Sequence, residues 1–223
     1  MHERPANNFG IAFLVATISA IGTSISILSL GKNGAFQLIN GNNNEFADLF
    51  FKYFTHYGDG LMWALLGAYC FFYRRKYFIA VVAGVLISTI LAQFLKRVVY
   101  PDELRPISFL SENFPVHVVD GVKMKRAHSF PSGHSTTAFA MALIMAYMIN
   151  NKVWSVILPL FALLAAYSRV YLAQHFPTDI FAGMCIGIVS AVLSLMIYRN
   201  FTKNSKRQGN SKPHIPTSAQ VTL

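Results

Sequence analysis

From Phe9 to Leu30 the chain runs for 22 residues without a charged side chain. That is enough helix to cross the hydrocarbon of a bilayer, which takes about 20 residues. Such a run confines the fold, because backbone in lipid must satisfy its N–H and C=O groups internally and so becomes helix. Five further apolar segments follow: Gly60–Tyr73, Tyr77–Leu95, Ser135–Ile149, Val153–Arg169 and Ile180–Tyr198. The second and fourth of the six are short and must borrow residues from their flanks. Composition agrees, with 54% hydrophobic and only 13% charged residues. The expectation is one all-α domain over residues 9–198, a six-span transmembrane bundle. A polar tail, 199–223, follows; it is expected to be disordered. The first run is longer than a signal-peptide core and lacks an A-x-A site, so it reads as a retained span.

The net charge of +10 does not imply nucleic acid here, because the basic residues sit between apolar runs and in the tail. In a membrane protein they set orientation and meet anionic headgroups. With six spans, Arg74–Lys76, Lys152 and the tail cations from Arg199 onward fall on one side. The positive-inside rule makes that side, with both termini, cytoplasmic. The opposite loop, 96–132, is basic as well, so its charges are open to another task. Cys70 and Cys185 each lie inside an apolar run, which argues against a disulfide framework or a metal site. No glycine-rich nucleotide motif is present.

Two outer-side features frame the spans. Phe46, Leu49, Phe50, Tyr53, Phe54 and Tyr57 recur at helical spacing behind Asn44, Glu45 and Asp48, which suit a helix start. This stripe predicts a helix lying in the membrane interface. Further on, "VHVVDGVKM" alternates around Asp120–Gly121 and predicts a small outer hairpin.

The ionisable residues gather at the outer ends of the spans: Lys96, Arg97, Arg105, His134, Arg169, His175 and Asp179. Charge in or near a membrane segment is costly and points to function. Lys96, Arg105 and Arg169 offer fixed positive charge, and a guanidinium fork suits phosphate oxygens. Gly133 lets backbone approach a ligand, and the helix start behind it presents free N–H groups to an anion. Ser132 can cap that helix or donate to an oxyanion. Two histidines can serve as nucleophile and proton donor. Asp179, four residues after His175, can fix its tautomer. Together these imply phosphoryl transfer to an imidazole, with side-chain cations and a helix start stabilising the transition state. Nothing in the set resembles a carboxylate cage for Mg²⁺, so neither metal nor cofactor is expected.

At these residues the chain resembles the type 2 phosphatidic acid phosphatases, integral-membrane lipid phosphatases related to the vanadium haloperoxidases. "FPSGH" at 130–134 is similar to the family's second motif, and "SRVYLAQHFPTD" at 168–179 to its third. The resemblance covers roughly residues 9–198. It implies His175 as nucleophile, Asp179 as its partner and His134 as general acid, with Lys96, Arg105, Ser132, Gly133 and Arg169 binding phosphate. The first motif departs from the family pattern of Lys, six residues and Arg-Pro: here eight residues separate Lys96 from Arg105-Pro106, and seven separate Arg97 from it. Either cation could fill the role.

The function expected is a metal-independent lipid phosphate phosphohydrolase in a bacterial cell membrane, with its site facing the periplasm. Candidate substrates are phosphatidate, phosphatidylglycerophosphate, undecaprenyl diphosphate and lipid A phosphate. A lipid-to-lipid phosphotransferase and a non-catalytic lipid-phosphate binder are the alternatives. His56, His117 and His128 match no motif and read as interface or loop residues, and Lys123, Lys125 and Arg126 as a solvated or headgroup-attracting patch.

Overall fold

The computed structural model describes residues 8–109 and 116–210. Among these residues it is all helical: α1 (Phe9–Asn40), α2 (Glu45–Phe54), α3 (Gly60–Tyr73), α4 (Phe78–Phe94), α5 (Pro106–Phe109), α6 (Gly133–Ile149), α7 (Lys152–Tyr171) and α8 (Pro177–Asn210). Short 3₁₀ turns, Thr55–Gly58 and Arg75–Tyr77, lead into α3 and α4, and a π-helical turn, Leu95–Val99, extends α4.

Four helical stretches are long and apolar enough to cross a membrane: α1, the Arg75–Val99 stretch through α4, α7, and α8 as far as Asn204. Their outward faces stay apolar, with Ile18, Ile25 and Leu28 on α1, Leu86 and Ile90 on α4, and Val189 and Leu193 on α8 all exposed. A soluble protein rarely leaves such a continuous apolar surface to water, whereas lipid solvates it. The bundle is that of a membrane protein.

The two shorter apolar helices, α3 and α6, have 14 and 17 residues. Helix α6 is buried on every side through Ala138–Ile144. A helix that is apolar all round belongs in a core. Ringed by α7, α8 and α4, it meets protein rather than lipid. Close packing here depends on small residues, which let helix backbones approach in a membrane. Gly183 and Gly187, one turn apart on α8, lie against α6. A Cβ at Gly183 would fall 2.5 Å from the Ser132 carbonyl oxygen, and one at Gly187 2.7 Å from that of Thr136.

Helix α1 breaks at Gly31, whose φ of 70° and ψ of 171° no helix tolerates. The break falls where the long charge-free run ends. Beyond it the chain runs over the end of the bundle that carries the α7–α8 turn. There the Asn40 amide donates to the carbonyls of Tyr171 (2.7 Å) and His117 (2.9 Å). At the opposite end, Asn8 bonds Asn150, and Tyr147 meets Tyr77 and Tyr198 edge to face, with Tyr77 tilted against Tyr198 and Arg199 over the Tyr147 ring. The start of α1, the α3–α4 and α6–α7 connections and the end of the apolar part of α8 therefore share one end.

Helix α2 has the expected form. The Asn44 side chain accepts from the Ala47 N–H and caps it. Phe51 turns inward onto Tyr167 and Tyr171, while Phe46, Leu49 and Tyr53 face out. The hairpin does not form. Gly121 (φ 76°) makes a turn, with Val122 N–H donating to the Val119 carbonyl at 3.2 Å, but no strand pair flanks it. The loop backbone bonds side chains of other elements instead: Asn40 brackets His117, the Lys52 ammonium donates to the Asp120 carbonyl, and the Gln174 amide donates to that of Lys123. Those partners take the groups a ladder would need. Helix α8 continues to Asn210, so the polar tail starts as helix; residues 211–223 lie outside those described.

Candidate active site

The start of α6 is built by its own sequence. Ser132 is the N-cap, its Oγ accepting from the Ser135 N–H at 3.3 Å and from the Ser135 hydroxyl at 3.0 Å. Its N–H donates to the Asp179 carbonyl at 3.0 Å, which ties α6 to the start of α8. Nothing stands within 4 Å of where a Gly133 Cβ would be, so the first turn opens onto free space. Unpaired N–H groups at such an opening favour an anion.

His175 lies in the turn between α7 and α8, where its N–H and that of Gln174 both donate to the Arg169 carbonyl. The ring is 2% exposed. Nδ1 sits 3.3 Å from Asp179 Oδ2, leaving Nε2 directed at Arg105 Nη1, 3.4 Å away. Burial pushes the imidazole well below its ordinary range, and Asp179 only partly offsets this. The ring is therefore neutral at physiological pH, as a nucleophile must be. Asp179 is held in turn: Oδ2 accepts from Ser129 Oγ at 2.5 Å and from the Phe176 N–H at 3.0 Å.

The cations converge on the same place. Arg105 donates from Nε to the Ala127 carbonyl (3.0 Å), from Nη1 to that of Gln174 (2.8 Å) and from Nη2 to that of His128 (3.4 Å). Lys96 Nζ donates to the same His128 carbonyl at 3.0 Å. Arg97 turns away and bonds Gln93 Oε1. Of the two cations left open by the sequence, Lys96 is the one the fold brings in. Both lie in the π-turn, where the Tyr100 N–H reaches back five residues to the Leu95 carbonyl and takes up one of the two residues by which the Lys96–Arg105 spacing exceeds the family pattern. Arg169 donates from Nη1 to Thr55 Oγ1 at 2.7 Å, while its buried Nε has no partner. A buried unpaired guanidinium donor calls for an acceptor, and a phosphate oxygen supplies one.

His134 has a partner that local sequence does not announce. Its Nε2 is 2.6 Å from Asp59 Oδ1, and the other oxygen of Asp59 is 2.6 Å from His56 Nδ1. Asp59 occupies the N-cap position of α3, yet its side chain makes no capping bond. It forgoes an interaction worth about 1 kcal/mol and binds two imidazoles instead. The hydrogen bond from His134 holds its carboxyl below the usual carboxylate range, against burial, with His56 adding to the effect. Gly58 is needed beside it: a Cβ there would lie 2.9 Å from the Cβ and the carbonyl oxygen of His134.

The sequence-predicted residues Lys96, Arg105, Ser132, Gly133, His134, Arg169, His175 and Asp179 thus meet at one end of the bundle. Sequence reasoning missed Ser129, Gln174, Thr55 and Asp59; His56, read as an interface or loop residue, lies in the turn before α3, where it also bonds Asp59. "HYGDG" carried the only signal, an acid between two glycines ahead of an apolar run, and a helix cap explains that pattern as well. His128 enters through its carbonyl, at a φ of 57°, not its ring. His117 pairs with Asp48 at 2.8 Å and pins α2 to the outer loop.

The chain is similar to known proteins. The family model of the PAP2 superfamily matches residues 77–203. The chain is 28% identical over 165 residues to an undecaprenyl-diphosphatase of Sulfolobus acidocaldarius, covering 73% of this chain and 76% of that protein. It is 25% identical over 207 residues to a lipid A 4'-phosphatase of Porphyromonas gingivalis, covering 86% and 82%. The crystal structure of Aquifex aeolicus LpxE superposes with a TM-score of 0.64 at 30% identity, covering 72% of this chain and 92% of that one. Since the matched region is more than half of the chain and takes in every residue from Lys96 to Asp179, this protein belongs to the PAP2 superfamily.

Proposed function

We propose that this protein removes phosphate from an envelope lipid, without a metal ion, through a phosphohistidine at His175. The observation that carries this reading is the buried neutral imidazole, its Nδ1 at Asp179 and its Nε2 facing the cation cluster. In the first step Nε2 forms a bond to phosphorus as the bond to the lipid oxygen breaks. His134 gives that oxygen its proton. In the second step water attacks phosphorus, His134 takes the proton of the water, and the P–N bond breaks to release inorganic phosphate and neutral His175. Lys96, Arg105, Arg169, Ser132 and the open N–H groups of α6 bind the phosphate oxygens and carry the charge of the transition state. These side chains supply the positive charge that a metal would otherwise bring.

The substrate class is an amphiphile whose headgroup reaches the cluster from the bilayer. Undecaprenyl diphosphate and lipid A phosphate are the first candidates, given the activities named for the two relatives; phosphatidate and phosphatidylglycerophosphate fit the same chemistry. In this reading α3 and α6 count with the four longer helices as six spans, and the site faces the periplasm from a bacterial inner membrane. Arg74–Lys76, Lys152 and Arg199 mark the far, cytoplasmic end with both termini. The test is phosphate release from a panel of these lipids in detergent micelles, with and without chelator. Activity that survives chelation and disappears in His175→Ala is expected. An active His175→Ala variant would refute the mechanism, and loss of activity on chelation would refute metal independence.

A further inference from the structure

The mechanism above gives His134 two proton transfers, yet the family-matched region holds none of the groups that touch its outer nitrogen. Asp59 and His56 both precede residue 77, where that region begins. Resting on the reading of His134 as the general acid, we propose that Asp59, braced by His56, is the positioning residue of His134. It accepts from Nε2–H, so the proton given to the leaving oxygen comes from Nδ1, and Nδ1 is the base for the water that follows.

Six observations support this. The Asp59–His134 contact is 2.6 Å, slightly shorter than the about 2.7–2.9 Å of a charge-assisted N–H···O bond. The second carboxylate oxygen is fixed by His56 at 2.6 Å, which sets the plane of the group. Asp59 leaves its own helix uncapped to make these bonds. Gly58 removes the one side chain that would push the segment away from His134. The His56 side chain is 63% exposed, so the chain of groups ends in solvent, where protons exchange. The other charged groups facing His134 are cations, Arg169 of α7 and Lys125 of the outer loop. Asp59 is thus the anion that opposes these cations at the His134 ring.

The leaving group provides the test. Expelling an alkoxide needs a proton donor, whereas a nitrophenolate leaves without one. Full-length Asp59→Asn is compared with wild type on dioctanoyl phosphatidate and on p-nitrophenyl phosphate, reading kcat/KM, which reports phosphorylation of the enzyme. The expected result is a fall on the order of 100-fold with phosphatidate and less than about threefold with the aryl ester, within one preparation. The alkaline limb with phosphatidate moves to lower pH, because Arg169 and Lys125 then face the imidazolium without their counter-charge. Equal losses on both substrates would show a merely structural role and overturn the proposal, as would no loss on phosphatidate. If His134→Ala itself shows no leaving-group dependence, the assignment of His134 as general acid fails and this proposal falls with it. If only Asp59→Asn is indifferent, the mechanism stands and Asp59 has no part in it.

Discussion

A single methyl group on α8 tests how tightly the bundle dictates the phosphate site. In Gly183→Ala the new Cβ would lie 2.5 Å from the Ser132 carbonyl oxygen and 2.8 Å from Ser135 Cβ. The first of these is about 0.9 Å short of ordinary contact at 3.4 Å. Both neighbours are at or next to backbone in the first turn of α6, so no flexible side chain can yield. Either α6 and α8 separate, or the first turn of α6 shifts by a similar amount. Overpacking of this kind costs about 1–3 kcal/mol, seen as a fall of about 2–4 °C in melting temperature per kcal/mol. The displaced group is the cap of the turn proposed to bind phosphate. A misplacement of about 1 Å costs on the order of 100-fold in rate, so kcat/KM should fall far more than stability. Gly187→Ala lies one turn deeper, against Thr136 and Phe139, and should lose comparable stability with a smaller loss of activity. Gly22→Ala, with nothing within 4 Å, is the neutral control. Melting in detergent and phosphate release from a lipid substrate check all three. Wild-type kcat/KM in Gly183→Ala would refute the claim that this glycine pair positions the site.

Lys96→Ala should lower kcat/KM by about 100-fold, as for a lost transition-state donor, while Arg97→Ala stays within about twofold; steady-state kinetics on one lipid separates them. Ser129→Ala removes the 2.5 Å bond to the buried Asp179; a bond to a charged group is worth about 1.5–3 kcal/mol, so a loss of tenfold or more in kcat is expected. Stability should also depend on pH through His175. The unfolded ring takes up a proton below about 6.5, whereas in the fold it does so only near about 3. The unfolded state therefore binds more protons across that window, and stability falls as pH drops below about 6.5. Melting temperatures followed from pH 7.5 to 5 should decline, and less steeply in His175→Asn.

Much of this molecule is written locally. Helix α3 occupies the residues of its apolar run, Gly60–Tyr73, the run Tyr77–Leu95 lies within the Arg75–Val99 stretch around α4, and the other runs lie within α1, α6, α7 and α8. Lipid leaves the backbone no other partner, so apolar length alone dictates helix. Residue type and spacing likewise marked His134, Arg169, His175 and Asp179, because an imidazole and a carboxylate four apart at a helix start must be neighbours. Tertiary structure decided what depends on chain segments far apart in sequence. Lys96 rather than Arg97 enters the cluster from a π-turn at the end of α4, and a one-residue change of helical winding leaves no mark on composition. The expected hairpin is lost to side chains of α1, α2 and the α7–α8 turn, which a local pattern of β-branched residues cannot foresee. Asp59 reads as a cap for its own helix and becomes the partner of His134 only because α3 and α6 pack with Gly58 between them. A short-range code names the groups able to do chemistry; only packing decides which of them share a proton.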